Sequence, residues 1–100
     1  MSHSNITIPP EELAQFCQRN YVRRLALFGS ILRDDFTPDS DVDVLVEFEP
    51  GHTPWLAFFG MEYELSETLG RKVDLNTPGF LNPRFRDGVQ SVAEVQYVAA

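Results

Sequence analysis

Residues 25–47 constrain this chain more than any other stretch. An apolar run, Leu25-Ala26-Leu27-Phe28, ends in Gly29-Ser30. Ten residues later a second run opens Asp41-Val42-Asp43 and continues through Val44, Leu45, Val46 and Glu47. In a strand, successive side chains leave on opposite faces. Val42, Val44 and Val46 therefore face one way, and Asp41, Asp43, Leu45 and Glu47 the other. Two carboxylates come to the end of one strand surface, with Leu45 packed below them.

Carboxylates about 6 Å apart repel by about 2–3 kcal/mol at an effective dielectric of about 20, so the pair needs water, a proton or a cation between its members. A divalent metal answers that need. Mg²⁺ is a hard ion held by one or two carboxylates, and it completes its shell with water and phosphate oxygens. Gly29-Ser30 offers the complementary half: glycine lets the backbone bend and approach closely after the strand. A helical turn opened by Ser30 would direct N–H groups and a hydroxyl at phosphate oxygens. The two halves make a phosphate cradle and a metal clamp.

At 100 residues the chain is expected to form one domain, 1–100, with a single core. An apolar fraction of 43% fits a folded, soluble protein. No stretch reaches the apolar length of a membrane span and the first ten residues lack a signal-peptide pattern, so a cytoplasmic location is expected. The single Cys17 cannot form an internal disulfide and falls on a helical pattern, as a small helix residue with no catalytic role. A net charge of −7 argues against general nucleic-acid binding, which depends on clustered Lys and Arg. Triphosphates are not excluded, because a metal ion neutralises them locally, and an acidic surface suits a basic protein partner.

In chain order, Pro9-Pro10-Glu11-Glu12 opens a helix, with prolines where N–H groups are dispensable and acids at the positive end of the dipole. Leu13, Phe16 and Cys17 recur at helical spacing and Asn20 stops the helix. Val22 to Phe28 reads as a buried strand. Residues 31–35 read as a short helix carrying Arg33, ended by the turn residues Thr37-Pro38-Asp39-Ser40. Thr53 before Pro54 predicts the cap and first turn of a helix over 54–69, stopped by Gly70. Phe58, Met61, Leu65 and Leu69 form its core stripe. Trp55, Leu56, Phe59 and Tyr63 lie partly outside it, and Trp55 and Phe59 in particular suit a partner surface. A third short strand over 71–76 carries Asp74 between Val73 and Leu75. A turn-rich 77–83, a helix over 83–92 weakened by Gly88 and a strand over 95–98 complete the chain.

Gly29-Ser30, the ten-residue spacing, Asp41-Val42-Asp43 and an acid on a later strand together resemble the DNA polymerase β-like nucleotidyltransferase superfamily. Within it the chain is similar to the minimal nucleotidyltransferases, or MNT proteins, over nearly its whole length. That resemblance implies an α/β fold, a short mixed sheet with helices packed mainly on one face. It matches Gly29 and Ser30 to the motif that holds the β- and γ-phosphates, Arg33 to the basic position nearby, Asp41 and Asp43 to the metal-binding acids, and Asp74 to the third acid. Asp34 departs from the family pattern, adding a negative charge beside the proposed phosphates.

What the resemblance further implies is a metal-dependent transferase with two Mg²⁺ ions and ATP as substrate. Small members of this kind are paired with a HEPN-domain ribonuclease toxin, and the implied reaction is AMP transfer to a hydroxyl, a tyrosine by expectation, of that toxin in a hetero-oligomer. A binding-only antitoxin that masks the toxin through a surface including Trp55, Phe59 and Tyr63 is the alternative.

Overall fold

The structure is a computed structural model and describes residues 8–32, 36–37, 39–52, 54, 56–77 and 93–99. Its first element, α1 (Pro10–Arg19), opens on the proline pair, with the Leu13 N–H reaching Pro9 O at 3.0 Å. Glu11 and Glu12 occupy the first turn and Arg19 the last, matching the helix dipole at both ends. Asn20 closes the helix: its N–H and its side-chain Nδ2 both reach Phe16 O, at 3.2 and 2.8 Å. The left-handed residue, however, is Tyr21 with φ 57, while Asn20 keeps φ −106. Such a backbone costs a non-glycine residue about 1–2 kcal/mol. It is offset by the Tyr21 ring stacked on His52 at 4.0 Å and by the Tyr21 carbonyl accepting the Glu49 N–H at 2.8 Å.

Among the described residues, four strands form one mixed sheet in the order β3-β2-β1-β4. The strands β1 (Val22–Phe28) and β2 (Val42–Phe48) are antiparallel, with Leu25 opposite Val46 and Leu27 opposite Val44. The strand β3 (Val73–Asn76) runs parallel to β2, and β4 (Glu94–Val98) runs antiparallel to β1. A parallel pair needs a crossover rather than a hairpin, and α2 (Ala57–Leu69) supplies it. Gly70, at φ 66, ends α2 and turns the chain into β3.

The core lies between the helices and one sheet face. Leu13, Phe16 and Cys17 of α1 and Phe58, Met61 and Leu65 of α2 join the inward row Val42, Val44 and Val46, flanked by Leu25, Leu27, Val73 and Leu75. Burying each such side chain contributes about 1.5–3 kcal/mol. Across the helix surfaces Arg19 Nη2 pairs with Glu64 Oε1 in water, which adds at most about 1 kcal/mol.

Some boundaries differ from those the sequence predicts. The second helix begins at Ala57 rather than 54, with the Phe59 N–H reaching Leu56 O three residues back. Thr53 lies outside the described residues. A 3-10 turn spans Gly29–Leu32; of the expected helix over 31–35, residues 33–35 lie outside the described residues, as does the expected helix over 83–92.

Candidate active site

The turn Gly29–Leu32 springs from the end of β1, beside the start of β2. Phe28 is opposite Asp43, so Gly29 comes directly against the acid end of β2. Gly29 has φ 77, a conformation glycine adopts without steric cost. It is also the only residue type that fits: an added Cβ would overlap Asp43 Oδ2 and lie 3.0 Å from the Asp43 carboxyl carbon. The Asp43 carboxylate thus occupies the volume a side chain at position 29 would take.

On its other side, Asp43 is in register with Asp74 of β3. Register partners in neighbouring strands stand about 5 Å apart with side chains on the same face. Since Val73 and Leu75 belong to the core, Asp74 is on the open face, where it is exposed while Asp43 is half-buried. An acid between two core residues is thereby explained: it shares its face with Asp43. Asp41, immediately before β2, has Oδ2 3.8 Å from Lys72 Nζ, and the Val42 N–H between them reaches Lys72 O at 2.9 Å.

The donors here are hard carboxylate oxygens on adjacent strands. Among the described residues no three acidic, histidine or cysteine side chains draw together into a cluster that would enclose an ion by themselves. That arrangement fits Mg²⁺, which keeps water and substrate phosphate in its shell and takes only one or two protein carboxylates, and does not fit an all-protein cage.

Of the other residues singled out from sequence, the Ser30 backbone is in the turn after β1, while Arg33 and Trp55 lie outside the described residues. Phe59 and Tyr63, each 69% exposed, follow Leu56, 85% exposed, along one stripe of α2. A hydrogen bond to Glu67 pushes the Tyr63 hydroxyl pKa up, reinforced by the Glu67 charge. Glu47 sits at the far end of β2 and is engaged by Arg23 and Arg24, each at 3.3 Å. Burial pushes the Cys17 thiol up to about 12 and leaves it no nucleophile.

Sequence reasoning missed three residues around the acids. Lys72 is one, and its place two residues before Asp74 was the available signal. Glu62 and Ser66 are the others: polar residues four apart beside the buried Met61 and Leu65, a spacing that puts both on one side of α2. Further out, the Arg71 guanidinium lies over the Phe36 ring at 5.1 Å, joining the segment between β1 and β2 to the start of β3.

The model of the nucleotidyltransferase domain family matches residues 10–95. The chain belongs to that family. This nucleotidyltransferase is 33% identical over 89 residues to a Methanocaldococcus jannaschii protein provisionally named protein adenylyltransferase MJ0435, covering 89% of the chain and 95% of the relative. It is 43% identical over 58 residues to the protein adenylyltransferase MntA of Thermococcus cleftensis, covering 58% of each. A solved structure provisionally described as a minimal nucleotidyltransferase superposes with a TM-score of 0.70 at 36% identity, covering 84% of this chain and 85% of that one. A toxin–antitoxin crystal structure with AMP-PNP has a TM-score of 0.74 at 17% identity, covering 92% and 75%, which is a likeness of fold. Among the described residues of this nucleotidyltransferase, no helix is long and apolar enough to cross a membrane.

Proposed function

We propose that this chain is a Mg²⁺-dependent protein adenylyltransferase that moves AMP from ATP to a hydroxyl, expected to be a tyrosine, of a HEPN ribonuclease toxin, and so acts as its antitoxin in the cytoplasm. Residues 1–100 would be its single catalytic domain. The observation that carries the reading is the register of Asp43 with Asp74, with Asp43 seated against a glycine that leaves room only for its carboxylate. Asp41, Asp43 and Asp74 would hold the metal, two ions by expectation, with one or two of these carboxylates on each. When bound, it neutralises the triphosphate and steadies the attacking and leaving oxygens.

The chain's own residues do the positioning. Gly29 and Ser30 sit at a turn whose N–H groups suit the β- and γ-phosphates, and Arg33 follows in sequence as a further cation for them. The acceptor oxygen then bonds to the α-phosphorus, the bond to pyrophosphate breaks, and the hydroxyl proton leaves to water. The names of the relatives support the adenylyl donor and the protein acceptor.

A second reading is favoured by the exposed stripe Leu56, Phe59 and Tyr63, to which Trp55 is the sequence neighbour: the chain masks the toxin by binding through this surface without transfer. Both readings are tested by incubating the chain with Mg²⁺, ATP and the protein encoded beside it, and weighing that neighbour intact. A gain of adenylyl groups with the unmutated chain, absent with Asp43→Asn of unchanged circular dichroism, is expected. No gain, with a stable complex still formed, would replace transfer by masking; normal transfer by Asp43→Asn would refute the site.

A further inference from the structure

Asp74 stands on β3, an outer strand of the sheet, and an outer strand has one row of backbone groups with no neighbouring strand to receive them. Here that row is engaged by α2. The Val73 N–H donates to Ser66 Oγ at 3.0 Å, and the Leu75 N–H donates to Glu62 Oε2 at 2.9 Å. The spacing is commensurate: four helical residues rise about 6 Å and two strand residues about 6.6 Å, so an i, i+4 pair on α2 meets an i, i+2 pair on β3. Ser66 is itself fixed, since its hydroxyl donates to Glu62 O at 2.8 Å, and the Gly70 and Arg71 N–H groups both return to its carbonyl. The two bonds bracket Asp74, which lies between Val73 and Leu75.

We propose that Glu62 and Ser66 are positioning residues of the acid site. By holding the outer edge of β3 they fix its register on β2, and with it the placing of Asp74 beside Asp43. This rests on the metal-binding reading of those two acids. Neither Glu62 nor Ser66 reaches the acids; both act through the strand.

The test follows backbone amides by NMR in the full chain, with Mn²⁺ alone as a paramagnetic stand-in for Mg²⁺. In the unmutated protein the Val73 and Leu75 amides exchange slowly, and Mn²⁺ broadens the Asp43 and Asp74 amides over the same concentration range. Glu62→Ala speeds Leu75 exchange by about tenfold, the size expected for a hydrogen bond to a carboxylate, and Ser66→Ala does the same for Val73. In both variants the Asp43 and Asp74 amides together then need about tenfold more Mn²⁺ to broaden, because the placing of Asp74 has loosened and the site binds more weakly. Glu62→Gln, whose amide oxygen still accepts, restores the Mn²⁺ midpoint of the unmutated chain. Thr68→Ala, which loses only a bond within α2 to Glu64 O, leaves it unchanged.

An unchanged Mn²⁺ midpoint in Glu62→Ala and Ser66→Ala would overturn the positioning role even though exchange is faster. A Glu62→Gln protein that behaves like Glu62→Ala would overturn it as well. Absence of broadening at both acids in the unmutated chain would instead defeat the metal reading, and the two failures are thus told apart. Ser66→Ala carries the test should Glu62→Ala lose its fold by circular dichroism.

Discussion

Substituting Gly29 by alanine separates two costs that glycine avoids here. The first is conformational: at φ 77 a side chain costs about 1–2 kcal/mol, a fall in Tm of about 4–16 °C for a domain of this size. The second is local, because the new Cβ overlaps the Asp43 carboxylate. Restoring ordinary contact requires that carboxylate to retreat by about 1 Å, and a misplacement of that size at a reacting centre costs about 100-fold in rate. Gly70 supplies the control. It also has a left-handed φ, 66, but a Cβ there meets nothing within 4 Å. Gly70→Ala is therefore expected to lose stability by a similar amount and keep its transfer rate, while Gly29→Ala loses both. Thermal unfolding and intact-mass measurement of the adenylylated acceptor, at a temperature where both variants are folded, provide the comparison. If Gly29→Ala transfers AMP as fast as Gly70→Ala, the assignment of that space to a working carboxylate is wrong.

Two other outcomes are expected. Cys17 is buried with its pKa raised from 9.0 to about 12, so the unfolded thiol ionises before the folded one. Its contribution is complete below about pH 9 and is lost as pH rises toward 12, at up to about 1.4 kcal/mol per pH unit. Urea unfolding of the unmutated chain and Cys17→Ala at pH 8, 9 and 10 measures it; a stability difference that does not change with pH would contradict the burial of the thiol. Phe59→Ser combined with Tyr63→Ser removes apolar groups from an exposed face, so stability should change by no more than about 0.5 kcal/mol per site. Affinity for the protein encoded beside it, read by calorimetry, should fall, and unchanged affinity would remove this face from the proposed partner surface.

Much of this architecture is legible in the residues. The strand over Val22–Phe28 is bounded by a helix stop on one side and Gly29 on the other, and the alternation after Asp41 assigns the faces of β2 correctly, because three valines in one row leave a single way to bury them. The start of α2 is less legible: Thr53-Pro54 has the chemistry of a helix opening, but the regular helix begins at Ala57. Asn20 has the side chain that tolerates a left-handed backbone, yet the neighbouring Tyr21 adopts it, since its stacking on His52 is a contact between distant segments that local propensity does not contain. For the acids, spacing placed Asp41 and Asp43 together, whereas the partnership of Asp43 with Asp74 depends on the parallel register of β2 and β3, which pattern alone does not fix. The engagement of β3 by Glu62 and Ser66 was hidden for the same reason.

That β2 and β3 run parallel also governs when the acids can meet. The antiparallel pair β1 and β2 needs no crossover, but a parallel neighbour must wait until the intervening helix has formed and crossed the sheet. A growing or refolding chain can therefore pair β1 with β2 early, bringing Asp41 and Asp43 to one end, while Asp74 arrives only after the longer loop closes. On that order a half-folded copy holds Asp41 and Asp43 together before Asp74 joins them.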